Sequence, residues 1–160
     1  MREVETVGIL TSGGDAPGMN AAIRAVVRTA LASGMKVKGI KRGYAGLLNN
    51  EIIDMDSKMV SEIARLGGTI LFTARCKEFE TKEGQLKGAQ ILKDNGIDGL
   101  IVIGGDGSFR GAQKLSALGI NTIGIPGTID LDINCTDYTI GFDTACLLYT
   151  SPSPRDPKTS

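Results

Sequence analysis

The chain has 160 residues, with 18 basic and 18 acidic side chains, 22 glycines and no histidine. Because the formal net charge is zero, the chain has no general attraction for nucleic acid or an anionic membrane, and any polyanion it binds must be held by a local site. Without histidine, carboxylates must carry acid–base chemistry. Three cysteines without metal-ligand spacing, no apparent signal peptide and no long apolar run predict a cytoplasmic protein.

Apolar runs and helical periodicities alternate along the chain. Short apolar runs predict strands at 7–11, 36–40, 99–103 and 121–125, and a minor strand at 51–55. Apolar spacing predicts helices at 18–32, 83–95 and 109–118, and a weaker one at 58–66. The glycine-rich stretch 42–50 is expected to be irregular. This alternation indicates an α/β fold, a three-layer sandwich whose mostly parallel sheet is covered on both faces.

Three turns follow predicted strands, at 11–15, 104–108 and 126–132. The carboxyl ends of parallel strands meet at one edge of a sheet, and ligands of such sheets bind beyond that edge. We therefore expect these three turns to form the binding site.

The turn Gly104-Gly105-Asp106-Gly107-Ser108 lies between the most apolar strand and a helix. Glycines let a backbone approach a phosphate, and free N–H groups at a helix start attract one. A carboxylate beside bound phosphates suits Mg²⁺. The alternative is a tight strand–helix turn in which Asp106 only caps the helix.

The turn Ser12-Gly13-Gly14-Asp15 also precedes a helix, and its amides suit a phosphate equally well. After the strand at 121–125, Thr128-Ile129-Asp130-Leu131-Asp132 carries two carboxylates two residues apart, which point the same way on an extended segment. Such a pair suits phosphoryl transfer, as a base and a metal-associated acid. Plain turns, and a solvated acidic pair, are the alternatives.

Five segments together resemble the bacterial-type phosphofructokinase family, in order and with plausible spacing. They are TSGGDAPGMNAAIR at 11–24, GGT at 67–69 with Thr73-Ala74-Arg75, IGGDGS at 103–108, PGTIDLD at 126–132 and DYTIGFDTA at 137–145. The resemblance implies transfer of the γ-phosphoryl group of ATP to the 1-hydroxyl of fructose 6-phosphate, with Mg²⁺. It also implies a homotetramer for the whole enzyme.

The resemblance assigns roles to individual residues of this chain. Those expected at the nucleotide are Gly14, Tyr44, Arg75, Cys76, Gly105, Asp106, Gly107 and Ser108. Arg75 would neutralise charge on the transferred phosphoryl group. Asp106 is the metal-associated carboxylate, with Asp132 as a second acidic position near the metal. Thr128, Ile129 and Asp130 match the sugar-phosphate site, where Asp130 is the catalytic base.

One departure from the family pattern and two glycines bear on the expected activity and donor. Leu131 stands where the family usually has asparagine; the lost donor and acceptor predict reduced activity or a compensating change. Pyrophosphate-dependent relatives typically carry Asp at the position of Gly107 and Lys at that of Gly127. Glycine at both positions favours ATP over the alternative donor, pyrophosphate.

Arg24 and Arg28 lie four residues apart on the first predicted helix and share a face. From the pattern alone this is a solvated basic stripe. By resemblance the two arginines match an allosteric site for a nucleotide or phosphoenolpyruvate. Ser57 replaces an arginine that relatives often have there, and neighbouring Lys58 is a candidate substitute.

The resemblance ends near Ala145, which predicts an ATP-binding domain over 1–145. Segment 146–160 has three of the five prolines, and its last eleven residues have no apolar side chain; we expect a disordered, non-native tail. The family's second half supplies further sugar-phosphate residues, so the chain by itself is expected to be inactive. A non-catalytic nucleotide-binding module remains an alternative.

Overall fold

A computed structural model of the chain describes residues 3–14 and 18–127. Its sheet has five strands: β1 (Thr6–Thr11), β2 (Lys36–Ile40), β3 (Ile52–Met55), β4 (Gly99–Gly104) and β5 (Asn121–Pro126). Its α-helices are α1 (Met19–Ala32), α2 (Gly43–Leu48), α3 (Lys82–Asp94) and α4 (Asp106–Ala117). Single 3₁₀ turns cover Ile63–Arg65 and Glu78–Glu80.

The strand order is β3-β2-β1-β4-β5, and only the edge strand β3 runs antiparallel to its neighbour in this sheet. Thr11 at the end of β1 pairs with Ile103 of β4. From β1 the chain crosses to β2 on one side, whereas from β4 it crosses to β5 on the other. The carboxyl ends of β1 and β4 therefore form the topological switch point, where α/β sheets bind their ligands.

Helices cover both faces of the sheet. On one face α1 packs its apolar residues, among them Ile23 and Val27, against Ile9 and Ile103. On the other face, residues of α2, α3 and α4 such as Leu47, Leu92 and Leu115 form a second core with side chains of β1, β2 and β4. Neighbouring strand residues alternate between the two cores, as the pleat requires. The predicted three-layer α/β fold is confirmed.

Two local predictions were wrong. The glycine-rich stretch 42–50 contains helix α2, because Tyr44, Leu47 and Leu48 are buried at helical spacing. Gly46 is needed there since a Cβ would overlap the carbonyl of Lys41. Tertiary burial thus outweighs the low helix propensity of glycine.

The weak helix predicted at 58–66 shrinks to the 3₁₀ turn Ile63–Arg65. Before it, the Asp56 carboxylate accepts the backbone N–H of Met59 at 2.9 Å, as an N-cap side chain does, but the residues that follow do not continue into an α-helix. Helix α4 begins at Asp106, three residues before the predicted start, so the glycine-rich turn after β4 overlaps the first helical turn.

Several expectations lie outside the described residues. These are the turn at 128–132 with Thr128, Ile129, Asp130, Leu131 and Asp132, and the tail at 146–160. Within the described ranges, no helix is both long and apolar enough to cross a membrane.

An apolar groove of about 460 Å³ lies beside α1 at the amino-terminal end of the sheet. Its lining includes Val7, Val26, Leu100 and Ile123.

Candidate active site

The start of α4 presents free backbone N–H groups at the switch point. The first intrahelical bond runs from the N–H of Phe109 to the carbonyl of Gly105, at 3.0 Å. The N–H groups of the preceding residues, 105–108, therefore have no acceptor within the helix, and no side chain of the described residues caps them. Together with the positive end of the helix dipole, these groups make a site for an anion such as a phosphate.

The turn after β1 lies directly beside this helix start. The N–H of Ser12 donates to the carbonyl of Ile103 at 2.9 Å, which extends the β1–β4 ladder past Thr11. A Cβ on Gly104 would overlap the Ser108 hydroxyl and lie 2.6 Å from the Ser12 carbonyl oxygen. Glycine at position 104 thus lets the two turns approach each other, and the structure brings two of the three predicted turns together.

Gly14 and Gly107 are glycines that the described fold does not itself require. Neither has a positive φ, and no described atom lies within 4 Å of where a Cβ would be. Both positions border the anion site, Gly107 within the free helix start and Gly14 in the neighbouring turn. Among the described residues, no atom fills the space in front of these two glycines.

Asp106 is the first residue of α4 and is half-buried. Among residues 3–14 and 18–127, no side chain forms an ion pair or hydrogen bond with its carboxylate. A half-exposed carboxylate beside an anion site fits Mg²⁺, which usually takes one or two carboxylates together with phosphate oxygens. The described residues contain no cluster of three or more histidine, cysteine or carboxylate ligands.

The buried side chain of Tyr44 is hydrogen-bonded to the first turn of α4. Its hydroxyl donates to the Ser108 carbonyl at 2.6 Å, and its ring stacks on Phe79 with centroids 4.1 Å apart. Gly111 faces the ring, and a Cβ there would lie 2.8 Å from it. Burial raises the pKa of the Tyr44 hydroxyl above its ordinary value, so it remains a donor.

Arg75 and Cys76 lie on a segment that crosses the carboxyl edge of the sheet. Leu71, at one end of this segment, is buried in the core on the α1 face. Cys76, at the other end, packs against the core of the opposite face. Between them Arg75 is exposed, which suits a cation that must meet a phosphate.

Sequence reasoning missed the residues that hold this segment in place. The hydroxyls of Thr11 and Thr69 are 2.9 Å apart, and Thr11 also donates to the Phe72 carbonyl at 3.1 Å. Asn20, buried at the start of α1, accepts from the N–H of Ile70 at 2.7 Å and donates to the Leu66 carbonyl at 3.2 Å. The only signal in the sequence was the polarity of Thr11 at the end of an apolar strand.

Arg24 and Arg28 line a separate cavity of about 300 Å³ beside α1, together with Ser57, Lys58 and Ser61. The Nε of Arg24 is buried and has no hydrogen-bond partner among the described residues. A cavity lined by three cations and two hydroxyls is suited to a phosphate or carboxylate ligand. The solvated-stripe alternative does not account for a buried guanidinium nitrogen.

Curated relatives resemble this chain closely over most of its length. An ATP-dependent 6-phosphofructokinase of Clostridium botulinum is 68% identical over 142 residues, which are 89% of this chain and 44% of that protein. An enzyme of the same name from a Thermoanaerobacter species is 67% identical over 144 residues, or 89% of this chain and 45% of the relative. The chain therefore spans less than half the length of these relatives.

A solved structure gives the same relationship at the level of the fold. The phosphofructokinase of Saccharomyces cerevisiae superposes with a TM-score of 0.80 and 38% sequence identity, over 88% of this chain and 22% of that one. The sequence also matches the phosphofructokinase family over residues 6–151. Because that match takes in nearly the whole sequence, the chain belongs to the phosphofructokinase family.

Proposed function

We propose that this chain supplies the nucleotide-binding part of an ATP-dependent 6-phosphofructokinase. That enzyme transfers the γ-phosphoryl group of ATP to the 1-hydroxyl of fructose 6-phosphate. The observation that carries the proposal is the uncapped start of α4 beside the turn after β1, at the switch point of the sheet. The close relatives, named for this reaction, supply the substrate and the donor.

In this proposal the free N–H groups of residues 105–108 hold the nucleotide phosphates, and Gly14 and Gly107 leave room for them. Asp106 holds Mg²⁺, which when bound neutralises phosphate charge; Asp132 is a second acidic position near it. Tyr44 and Cys76 border the nucleotide, and the Ser108 backbone is held by the Tyr44 hydroxyl. Arg75 orients the transferred phosphoryl group and offsets its charge.

The residues that we assign to the sugar-phosphate substrate lie outside the described ranges. We assign the sugar-phosphate site to Thr128, Ile129 and Asp130, with Asp130 as the base that takes the proton of the 1-hydroxyl. The rest of that site belongs to the part of the relatives that this chain does not cover. Residues 1–145 are accordingly proposed to act with a second half, in a cytoplasmic homotetramer.

The donor is proposed to be ATP. A carboxylate at position 107 would project into the open space in front of the α4 start, where the nucleotide phosphates must fit. At position 127, a Cβ would lie 2.9 Å from a methyl group of Ile103, so a lysine there requires the strand end to shift. The first observation favours a nucleotide donor over pyrophosphate, whereas the second shows that Gly127 also serves the packing of the strand end.

The cavity with Arg24 and Arg28 is proposed as the effector site, for a nucleotide or phosphoenolpyruvate. The buried, unpartnered Arg24 nitrogen supports an anionic ligand there. A test is the change in ATP-dependent rate on adding each effector to the whole enzyme. Arg28→Ala, which removes a cavity cation without touching the α4 start, should abolish that change.

The proposed reaction can be tested in a chimera that joins residues 1–145 to the remainder of the Clostridium botulinum relative. We expect fructose 6-phosphate-dependent formation of ADP with ATP, and no turnover when pyrophosphate replaces ATP. Asp130→Asn should lower kcat by about 10²- to 10⁴-fold, the usual contribution of a general base. Leu131→Asn should raise kcat.

The matched control is Asp54→Asn, which changes an exposed carboxylate on the edge strand β3 and should leave kcat unchanged. A chimera that is folded and tetrameric yet makes no ADP would reject the proposal. Turnover with pyrophosphate alone would reject ATP as the donor.

A further inference from the structure

We propose that Thr11 is a positioning residue for Arg75, a role that rests on the proposed phosphoryl-transfer function. Thr11 is the last residue of β1 and is wholly buried. Among the described residues its hydroxyl bonds to Thr69 and Phe72, and none of its hydrogen bonds reaches Arg75. It acts through the threonine pair (Thr11 and Thr69) and the Phe72 carbonyl, which hold the segment that carries Arg75.

The hydrogen-bond directions within the threonine pair follow from counting hydrogens. The Thr11 hydroxyl has one hydrogen, which it donates to the Phe72 carbonyl at 3.1 Å. The Thr69 hydroxyl, 2.9 Å away, must therefore donate to Thr11. The Thr69 oxygen in turn accepts the N–H of Leu71 at 3.1 Å. The result is a one-way chain of three bonds, two of them buried and the one to Phe72 partly buried, and successive bonds of this kind strengthen one another.

This chain of bonds ends at Phe72, three residues before Arg75. From Thr73 to Cys76, no backbone group forms a backbone hydrogen bond to another of the described residues. The Phe72 carbonyl is thus the last fixed point before Arg75, and the packing of Cys76 is the next one after it. The position of Arg75 therefore depends on where Thr11 holds Phe72.

The backbone of Phe72 adopts a conformation that bulky residues disfavour. Its φ is +61°, in the left-handed region that bulky residues rarely adopt, and its side chain is 59% exposed. Such a conformation persists only where surrounding contacts impose it. Thr11 also directly precedes the turn Ser12–Gly14, so one buried hydroxyl fixes Arg75 relative to the phosphate-facing turn.

The first test uses the full 160-residue chain with Cys135→Ser and Cys146→Ser, so that Cys76 is its single thiol. The rate at which an aromatic disulfide reagent labels Cys76 reports opening of the segment. Thr11→Val, which keeps the shape and removes the hydroxyl, should speed labelling about three- to tenfold, the equivalent of one lost hydrogen bond. Thr11→Ser should label at the parent rate.

The control is Thr6→Val, the same substitution at the opposite end of β1, which should not change the labelling rate. Equal labelling of Thr11→Val and its parent, or equal acceleration by Thr6→Val, would overturn the proposal. If circular dichroism shows that Thr11→Val is unfolded, Thr69→Val compared with Thr69→Ser decides the same question.

The second test is kinetic and uses the chimera described above. Thr11→Val should lower kcat about tenfold with the KM for fructose 6-phosphate within twofold, and Thr11→Ser should restore kcat. In a background of Arg75→Ala, Thr11→Val should have little further effect, whereas multiplicative losses would contradict action through Arg75. A chimera without any turnover rejects the proposed function, and the labelling test still decides whether Thr11 holds the segment.

Discussion

Two glycines of the turn after β4 serve different needs, one of the fold and one of the ligand. Gly104 lets two turns meet, whereas Gly107 faces open space. Gly107→Asp should therefore leave the free energy of unfolding within about 0.5 kcal/mol of the parent, as for other unconstrained surface sites. It should weaken ATP binding at least tenfold, because a second carboxylate faces the phosphates. Thermal unfolding and titration with a fluorescent ATP analogue measure both.

Gly104→Ala is the matched control, because the added methyl group meets Ser108 and the Ser12 carbonyl. It should lower the free energy of unfolding by about 1–3 kcal/mol, the usual cost of overpacking. Equal destabilisation by Gly107→Asp would show that the fold, and not the ligand, requires glycine at 107.

Tyr44 joins α2 to the start of α4 through one hydroxyl. Tyr44→Phe keeps the stack on Phe79 and removes the bond to the Ser108 carbonyl, so it should lower the free energy of unfolding by about 1 kcal/mol. Burial raises the folded-state pKa of Tyr44, whereas the unfolded chain ionises near pH 10. Stability should therefore fall as pH rises above about 10, and less steeply in Tyr44→Phe.

That dependence can be read from denaturant unfolding at a series of pH values. Phe79→Leu keeps the Tyr44 hydroxyl and serves as the control, because it should be destabilised while retaining the parent's alkaline slope. An unchanged slope in Tyr44→Phe would mean that Tyr44 does not hold its proton in the folded state.

At the scale of elements, the segment 66–72 is attached to both sides of the turn after β1. Thr11 precedes that turn, and Asn20 follows it at the start of α1. Asn20→Ala leaves the Ile70 N–H and the Leu66 carbonyl without their partner. We expect the free energy of unfolding to fall by about 2–3 kcal/mol, because buried polar groups lose their hydrogen bonds.

Asn49→Ala is the control for Asn20→Ala, since Asn49 is exposed and bonds only to the Ala45 carbonyl of its own helix. Its effect should stay within about 0.5 kcal/mol. Denaturant unfolding of both variants makes the comparison. Similar small losses in the two would mean that the segment is held mainly by the apolar packing of Leu71.

Whether a segment forms a helix or a strand was predictable where the apolar periodicity matches the residues that are buried, as in β4 and α1. They were not predictable where glycine is retained for close packing, as in α2, whose Gly46 passes the Lys41 carbonyl. A propensity argument counts such a glycine against a helix.

For the whole molecule, the edge of the sheet at which we propose that the ligand binds was predictable from parallel strands alone. The strand order was not, because hydrophobic patterns do not specify which strands pair. Thr11 and Thr69 are 58 residues apart, and nothing local in either segment signals their contact. The turns of the proposed anion site could thus be located from the sequence, whereas the side chains that support them required the fold.

The apolar groove at the amino-terminal end of the sheet predicts that the chain binds a hydrophobic dye. Ile123 of β5 lines it and is 63% exposed. Exposed apolar surface of this kind binds hydrophobic probes. Ile123→Thr keeps the β-branched shape that suits a strand and replaces the ethyl branch by a hydroxyl. We expect it to lower the fluorescence of an anilinonaphthalene sulfonate dye bound to the chain, with the free energy of unfolding within about 0.5 kcal/mol of the parent.

Leu86→Gln removes an exposed apolar side chain from α3, outside the groove, and should leave the dye signal unchanged. A loss of signal in Leu86→Gln equal to that in Ile123→Thr would mean that the dye reports general apolar exposure. An unchanged signal in Ile123→Thr would mean that this groove does not take up the dye. Because the groove lies at the opposite end of the sheet from the start of α4, ATP binding should be the same in both variants.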